Sequence, residues 1–242
     1  MLTRAFADIC RDIYDAMLPP ICSVCGDRVR ERHEAICDSC RGAFRAVGRA
    51  VCPLCGAAVV RSVKRRCPRC PREPVYFVSA RAAYLYQGAL RDAIHAFKYK
   101  RRMELGRPLA RAMFMNLAEF RLASEKPEVL VAVPMHFLRR TRRGYNHAEE
   151  LARDLAALSG VPAEPGLLVR SRHTPQQAFL PSERRARSIF GAFEAPYPDV
   201  VRGLRVALVD DVFTTGSTVN ECARVLADAG AASVEVLALA RA

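Results

Sequence analysis

The stretch at residues 205–219 constrains the fold more than any other part of the chain. Residues 205–209 form a short apolar run that is typical of a buried central strand. Asp210 and Asp211 follow it directly, and a turn rich in hydroxyl groups comes next. The pattern after the turn is that of an amphipathic helix that ends at Gly230. The stretch therefore predicts a strand, a loop and a helix.

The predicted loop has the chemistry of a phosphate site. Small residues at a helix N-terminus direct backbone N–H groups and hydroxyls toward one point, which suits an anion. The two preceding carboxylates suit ribose hydroxyls, and they keep Mg²⁺ nearby through water or substrate oxygens. No Gly-Lys-Ser/Thr follows the strand, which excludes a P-loop. We expect a ribose 5-phosphate site, and the alternative is an ordinary loop whose hydroxyls only cap the helix.

This stretch resembles the PRPP-binding motif of type I phosphoribosyltransferases, in which two acids and a Thr/Gly-rich loop follow an apolar strand. The resemblance implies that Asp210 and Asp211 hold the ribose hydroxyls of PRPP. It assigns the 5-phosphate to Thr214, Thr215, Gly216, Ser217 and Thr218. It also implies a type I phosphoribosyltransferase-like α/β fold, with a central, mostly parallel sheet flanked by helices.

Eight cysteines form two sets, and the second set repeats the first after thirty residues. Each set contains two Cys-x-x-Cys turns, and two such turns complete a tetrahedral metal site. The sets are Cys22, Cys25, Cys37, Cys40 and Cys52, Cys55, Cys67, Cys70. We predict two structural Zn²⁺ ions in a tandem double zinc ribbon. The alternatives are two zinc ions with ligands exchanged between the sets, and one zinc ion with four spare thiols.

The cellular compartment of the protein bears on whether the paired cysteines bind metal. Charged residues interrupt the first seventeen positions, so we expect no signal peptide, and no apolar run is long enough to span a membrane. We therefore expect a cytoplasmic protein, in which paired cysteines indicate metal more often than disulfides. The chain divides into an N-terminal amphipathic helix at residues 1–20, a double zinc ribbon at 21–73 and an α/β domain at 74–242.

The charge of the chain favours anionic partners. The net charge is +13, and residues 28–72 carry twelve Lys or Arg against three Asp or Glu. Basic zinc ribbons often touch nucleic acid, although a solvated basic surface is an equal alternative. Residues 129–134 are predicted to form a second strand. The basic segment that follows this strand is expected at the same sheet edge as the phosphate loop. Another at 170–187 has the composition of a lid. The pyrophosphate and lid candidates are Arg139, Arg143, Arg172 and Arg184.

From about residue 18 onward the chain resembles the ComF family of phosphoribosyltransferase-like competence proteins, which includes a GntX branch. The matching segments are the cysteine turns, residues 84–91, 97–100, 133–134, 143–146, 172–177, 183–184, 191–193 and 209–218. In this chain Arg187 and Ser188 stand where the family often has Asn.

The resemblance implies PRPP bound with Mg²⁺ and a role with incoming single-stranded DNA during natural transformation. It also implies helicase-like and recombination-mediator partners. It assigns no catalytic residue, because a shared fold does not prove an activity. Two alternatives remain open: a salvage-type transferase for a nucleobase or an amine, and a non-enzymatic adaptor for DNA and protein.

Overall fold

The computed structural model describes residues 17, 19–30, 34–59, 66–71, 74–119, 126–135, 140–141, 144–172 and 189–242. The predicted N-terminal helix at residues 1–20 lies outside the described residues, apart from residues 17, 19 and 20. So do Arg139, Arg143 and Arg184, together with most of the predicted lid. The statements below concern the described residues.

The described strands are β1 (Ser79–Leu85), β2 (Val129–Ala132), β3 (Val169–Arg170), β4 (Phe193–Glu194), β5 (Arg205–Phe213) and β6 (Ser233–Arg241). Four of them make the central sheet in the order β1–β6–β5–β2, and every pairing in it is parallel. β3 and β4 form a separate antiparallel pair that the sequence did not predict. The predicted parallel sheet is confirmed, and its parallel strands bring their carboxyl ends to one edge.

β5 is longer than the sequence predicted. The apolar run ends at Val209, but the strand continues through both acids to Phe213. Asp210 is the register partner of Ala238 in β6, and Val212 is that of Ala240. The parallel ladder therefore holds Asp210 and Asp211 on a regular strand rather than on a loose turn.

The helices are α1 (Asp38–Gly42), α2 (Gly88–Tyr99), α3 (Gly106–Glu119), α4 (His147–Ser159), α5 (Pro198–Val201) and α6 (Ser217–Asp228), with a 3₁₀ turn at Met103–Leu105. The sequence carries a cap signal at each end of α4, Asn146 before its start and Gly160 after its end, and the structure confirms both. Asn146 accepts a hydrogen bond from the N–H of Ala148 at the N-cap, and Gly160 takes the left-handed conformation at the C-cap.

The two faces of the sheet pack against different helices. Ala207 and Val209 of β5 belong to the same core cluster as Phe97 of α2. Val206 and Leu208 point the other way and join the cluster that contains Cys222 and Leu226 of α6. This alternation follows the pleat of a strand, in which successive side chains point to opposite faces. An acid at the end of β5 therefore meets either α2 or α6, depending on its position.

Both cysteine-rich segments pack on the α/β body. From the first segment, Cys22, Ile36 and Phe44 enter the core cluster of α2 and α3. The second segment docks on β1, where the N–H of Ala80 donates to the carbonyl of Leu54 at 2.7 Å. The domain boundaries at residues 20 and 73 stay a prediction.

Candidate functional site

The acid pair lies near the carboxyl end of β5, where Asp210 pairs with Ala238 of β6 and two further pairings follow, at Val212 and Phe213. Asp211 is buried, and its N–H donates to Oδ1 of Asp210 at 2.8 Å. By strand alternation Asp211 faces α2, and Asp210 faces α6. The two carboxylates therefore follow each other along the strand near the edge of the sheet, and their side chains point to opposite faces.

Lys98 is a site residue that the sequence reasoning missed. Its ammonium Nζ lies 2.7 Å from Oδ1 of Asp211, and the two side chains are only 18% and 12% exposed. Lys98 stands in the last turn of α2, directly after Phe97, which is fully buried. Shielding from water strengthens a charge pair, so this contact is worth more than an ion pair on an open surface. The site therefore contains two acids and one base.

Burial and the neighbouring charges shift the pKa of Asp210 and that of Lys98. Burial raises the pKa of Asp210 to about 7, the Asp211 carboxylate adds to that rise, and Lys98 opposes it. Burial of the Lys98 ammonium disfavours its charge, but Asp211 and Asp210 outweigh that cost and raise its pKa. Lys98 therefore keeps its charge at neutral pH, and Asp210 takes up a proton at a higher pH than an ordinary aspartate does.

The predicted phosphate loop joins β5 to α6. Gly216 is the N-cap of α6, and its φ is +81°. Because glycine has no side chain, the backbone N–H groups of the first turn receive no side-chain hydrogen bond from the N-cap residue. A Cβ at this position would lie 2.8 Å from Cζ of Phe213 and 3.3 Å from Cγ of Pro71. Thr215 Oγ1 and Ser217 Oγ are 3.0 Å apart. Glycine is therefore required here both for the backbone and for space, and the hydroxyls cluster at the helix N-terminus.

The structure describes only part of the set of arginines that were predicted to contact pyrophosphate or to lie in the lid. Arg172 is described, and its Nη2 donates to the carbonyl of Phe190 at 2.5 Å. Arg140, which the sequence placed in the same basic segment as Arg139, is exposed and pairs with Glu149 at 3.4 Å. Arg139, Arg143 and Arg184 lie outside the described residues. Contact of any of these arginines with pyrophosphate stays a prediction.

The eight paired cysteines form two clusters, and each cluster is made by one sequence set. In each, the four sulfur atoms lie within 4.8 Å of one another. The distances are 3.7 Å for Cys25–Cys37, and 3.6 Å for both Cys52–Cys70 and Cys55–Cys67. Tetrahedral zinc with Zn–S bonds of about 2.3 Å requires sulfur atoms about 3.8 Å apart. The clusters therefore fit one structural Zn²⁺ each, and the ligands are not exchanged between the sets.

Backbone N–H groups prepare the sulfur atoms for the charged thiolate form. Sγ of Cys22 accepts from the N–H groups of Val24 at 3.4 Å and Cys37 at 3.3 Å. Burial disfavours the thiolate, but N–H donors of the turn outweigh it and lower the pKa of Cys22 to about 7 and that of Cys52 to about 6. The backbone thus favours the thiolate at one cysteine of each cluster, whereas burial and the neighbouring sulfur groups raise the pKa of Cys40 and Cys55, whose protons a bound metal would displace.

The second cysteine cluster reaches the phosphate loop. Pro71, next to Cys70, lies under Gly216, and Asn220 of α6 donates to the carbonyl of Pro74 at 2.8 Å. Arg241 stacks over the Phe213 ring at 4.2 Å and donates to the carbonyl of Thr214 at 3.0 Å. Burial lowers the pKa of Arg241, while the sulfur groups of the cluster oppose that shift. One side of the loop is therefore built on the second ribbon.

We predict two zinc ions per chain, bound only through thiolates, because both clusters have four sulfur ligands at zinc spacing. Elemental analysis of metal-replete protein should give a ratio near two, and a thiol-reactive dye should find the eight cysteines protected until a chelator is added. A ratio near one would contradict the tandem arrangement, and a ratio near zero would contradict the metal.

Comparisons with known proteins agree with this architecture. A family model of the double zinc ribbon domain matches residues 13–71. A model of the phosphoribosyl transferase domain matches residues 106–242, which is more than half of the chain. The second match includes β5, the acid pair and the phosphate loop. None of the helices in the described part of the chain has the length and apolar content that a membrane crossing requires.

Curated relatives match about two thirds of the chain. The chain is 36% identical over 158 residues to the DNA utilization protein YhgH of Salmonella typhimurium, which covers 64% of this chain and 69% of that protein. It is 34% identical to competence protein F of Haemophilus influenzae, covering 62% of this chain and 66% of that protein. It is 28% identical to competence protein ComFC of Streptococcus pneumoniae, covering 68% and 69%.

Proposed function

Because the chain belongs to the competence protein F family of phosphoribosyltransferase-like proteins, we propose that it binds PRPP or a related ribose 5-phosphate with Mg²⁺ and handles single-stranded DNA during natural transformation. We place this activity in the cytoplasm, where incoming single strands are processed. Helicase-like and recombination-mediator proteins are its proposed partners.

The observation that carries the ligand proposal is the placement of two carboxylates beside an anion-binding helix end. Asp210 and Asp211 sit on the central strand, and the N-terminus of α6 lies within a few residues of them. Carboxylates accept hydrogen bonds from the hydroxyls of a ribose, and they repel phosphate. The phosphate loop, in contrast, favours the phosphate. A sugar phosphate satisfies both halves of the site, whereas a free phosphate or a simple sugar satisfies one.

The residues also fit a divalent cation that arrives with the ligand. Mg²⁺ prefers oxygen ligands and keeps several of its waters, so it binds through substrate phosphates and one or two carboxylates. Asp210 and Asp211 would hold it through water or through the ribose oxygens, and it would neutralise the diphosphate charge. The protein's own part is to fix the ribose on the carboxylates and the 5-phosphate on the loop.

Single-stranded DNA is assigned to the basic surface rather than to the acid pair. DNA lacks the 2-hydroxyl that would donate to one of the carboxylates, and its phosphodiesters would meet negative charge there. The cysteine-rich segment carries the twelve basic residues between 28 and 72. A positively charged surface with aromatic side chains binds single strands with little preference for sequence. We therefore propose separate contacts for the sugar phosphate and for the DNA.

Two other functions remain as competitors. A salvage-type transferase needs a pocket that recognises a nucleobase or an amine, and the adaptor needs no PRPP at all. The relatives named for DNA utilization and competence favour a DNA role over salvage. The complete acid pair and phosphate loop favour a working ligand site over an adaptor.

The deciding experiment is a calorimetric titration of PRPP with Mg²⁺ into the zinc-loaded protein. We expect saturable binding in the presence of Mg²⁺. Binding should weaken in a buffer that contains only monovalent cations and no EDTA. A screen for pyrophosphate release with bases, amines and single-stranded DNA follows. Release with a base or amine would favour the salvage function, and no PRPP binding at any Mg²⁺ concentration would leave the adaptor.

We predict that single-stranded DNA binds with little sequence preference and with a steep salt dependence. Each phosphate neutralised on a single strand adds about −0.7 to the slope of log affinity against log salt. Several contacts therefore give a slope of roughly −2 to −4, measured by fluorescence anisotropy at several salt concentrations.

A charge-matched comparison locates this contact. Replacing Lys64, Arg65 and Arg66 with Gln should flatten the slope if the ribbon carries the contact, although the first two lie outside the described residues. The same loss of three charges at Lys126, Arg153 and Arg202, on the α/β body, should leave it nearly unchanged. Binding that does not respond to salt, or no binding at low salt, would assign the basic face to protein partners or solubility.

A further inference from the structure

Among the described residues, Lys98 is a feature of the site that the PRPP motif does not explain. The motif assigns Asp211 to the ribose, yet in the structure Oδ1 of Asp211 is paired with Nζ of Lys98 at 2.7 Å. A ribose hydroxyl that binds this carboxylate competes with the ammonium for it. Either Lys98 blocks the ligand, or it moves to a part of the ligand that needs positive charge.

The side of the sheet on which Lys98 stands decides between these possibilities. Lys98 belongs to α2, whose apolar residues pack with Ala207 and Val209 on one face of β5. The phosphate loop leads into α6, which packs on the opposite face. The acid pair lies between them on the strand. Lys98 and the phosphate loop are therefore on opposite flanks of the two carboxylates.

The shape of a ribose 5-phosphate maps onto this order. In the furanose ring the hydroxyls at C2 and C3 lie between C1 at one end and the C5 arm at the other. With the hydroxyls on Asp210 and Asp211 and the 5-phosphate on the loop before α6, the substituent at C1 points toward α2. Lys98 is a described side chain on the α2 flank, where this substituent would lie.

A second contact ties this flank to the loop that follows β2. The hydroxyl of Tyr145 donates to the carbonyl of Phe97, and the two rings are 5.5 Å apart. Tyr145 precedes the N-cap of α4, so the end of the β2 loop is held against the turn of α2 that carries Lys98. Packing of this kind fixes the backbone of Lys98, and the flexible four-carbon stem of a lysine allows its ammonium to change partners without movement of the helix.

We propose that Lys98 binds the substituent at C1 of the ribose, which in PRPP is the diphosphate, by exchanging Asp211 for diphosphate oxygens when the ligand enters. A diphosphate offers several anionic oxygens where the carboxylate offers two, so the exchange favours the ligand. The inference rests on the proposed function, because it takes the orientation of the ribose from it. Lys98 would thus keep Asp211 satisfied in the empty site and release it on binding.

The test compares three ligands by calorimetry at fixed Mg²⁺: PRPP, inorganic pyrophosphate and ribose 5-phosphate, which lacks the diphosphate. In Lys98→Met we expect the affinity for PRPP and pyrophosphate to fall by about tenfold or more. The affinity for ribose 5-phosphate should change by less than about threefold, because its hydroxyls and phosphate bind elsewhere. Lys100→Met, an exposed lysine two residues on, is the control and should change none of the three.

The outcomes separate the inference from its premise. Equal weakening of all three ligands would mean that Lys98 acts only by placing Asp211, and tighter binding of all three would mean that it blocks the site; either result overturns the proposal. Binding of none of them by the parent protein would remove the proposed function and this inference with it. Should Lys98→Met not fold, Lys98→Gln retains a neutral donor for Asp211 and should show the same selective loss.

Discussion

Replacement of both acids, Asp210→Asn with Asp211→Asn, should abolish PRPP binding while the fold is retained. Each carboxylate is expected to accept a charge-assisted hydrogen bond from a ribose hydroxyl, at roughly 1.5–3 kcal/mol each. The combined loss of about 3–6 kcal/mol corresponds to about 10²- to 10⁴-fold in affinity. Asparagine has nearly the same shape, so the strand pairing of Asp210 with Ala238 is preserved. Calorimetric titration with PRPP and Mg²⁺ measures the loss.

The control must show that the loss comes from the site. Asp199→Asn removes an exposed carboxylate of α5 that pairs with Arg202 at 3.5 Å. This variant should bind PRPP like the parent. Zinc content and the circular dichroism spectrum of the double variant should match the parent. If a correctly folded double variant bound PRPP as well as the parent, the motif would be a relic and the adaptor function would be favoured.

The sequence predicted the parts of the site that depend on local pattern. The strand, loop and helix around Asp210, and the cap of α4 at Asn146, follow from residue types at fixed spacing, and the structure confirms these elements. Cysteine spacing predicted two four-sulfur clusters in the same way, and the structure also removed the alternative in which the sets exchange ligands. These signals are local, so neighbours along the chain carry them.

The features that the sequence did not predict depend on contacts between distant segments. Lys98 follows the inward-facing Phe97 and opens a run of basic residues at 98–102, a pattern that the sequence alone does not link to Asp211. Only packing of α2 against the sheet brings the two together. The continuation of β5 through two acids contradicts their low strand propensity, and pairing with β6 outweighs it. Two signals for Lys98 were present in the sequence: its place at the end of a helix stripe, and the match of residues 97–100 to the ComF family.

Loss of the second zinc site should weaken the phosphate loop, whereas loss of the first should not. A Zn²⁺ with four thiolates has a formal charge of about −2, and it would lie beside the buried guanidinium of Arg241. That guanidinium stacks on Phe213 and donates to the carbonyl of Thr214. Without the metal, the segment that carries Pro71 loses its fold, because short ribbons draw their folding energy from zinc. Cys55→Ser should therefore lower the affinity for ribose 5-phosphate by about tenfold or more.

Cys25→Ser is the matched variant, because it removes the same kind of ligand from the other cluster. Both variants should lose one zinc per chain, but only Cys55→Ser should increase hydrogen exchange of the backbone at residues 213–219. The difference arises because Cys25 is exposed and its segment packs on α2 and α3, while the second cluster is buried against the loop through Pro71 and Arg241. Equal effects on the loop from the two variants would show that zinc supports the fold as a whole, and the coupling of the second ribbon to the phosphate site would be wrong.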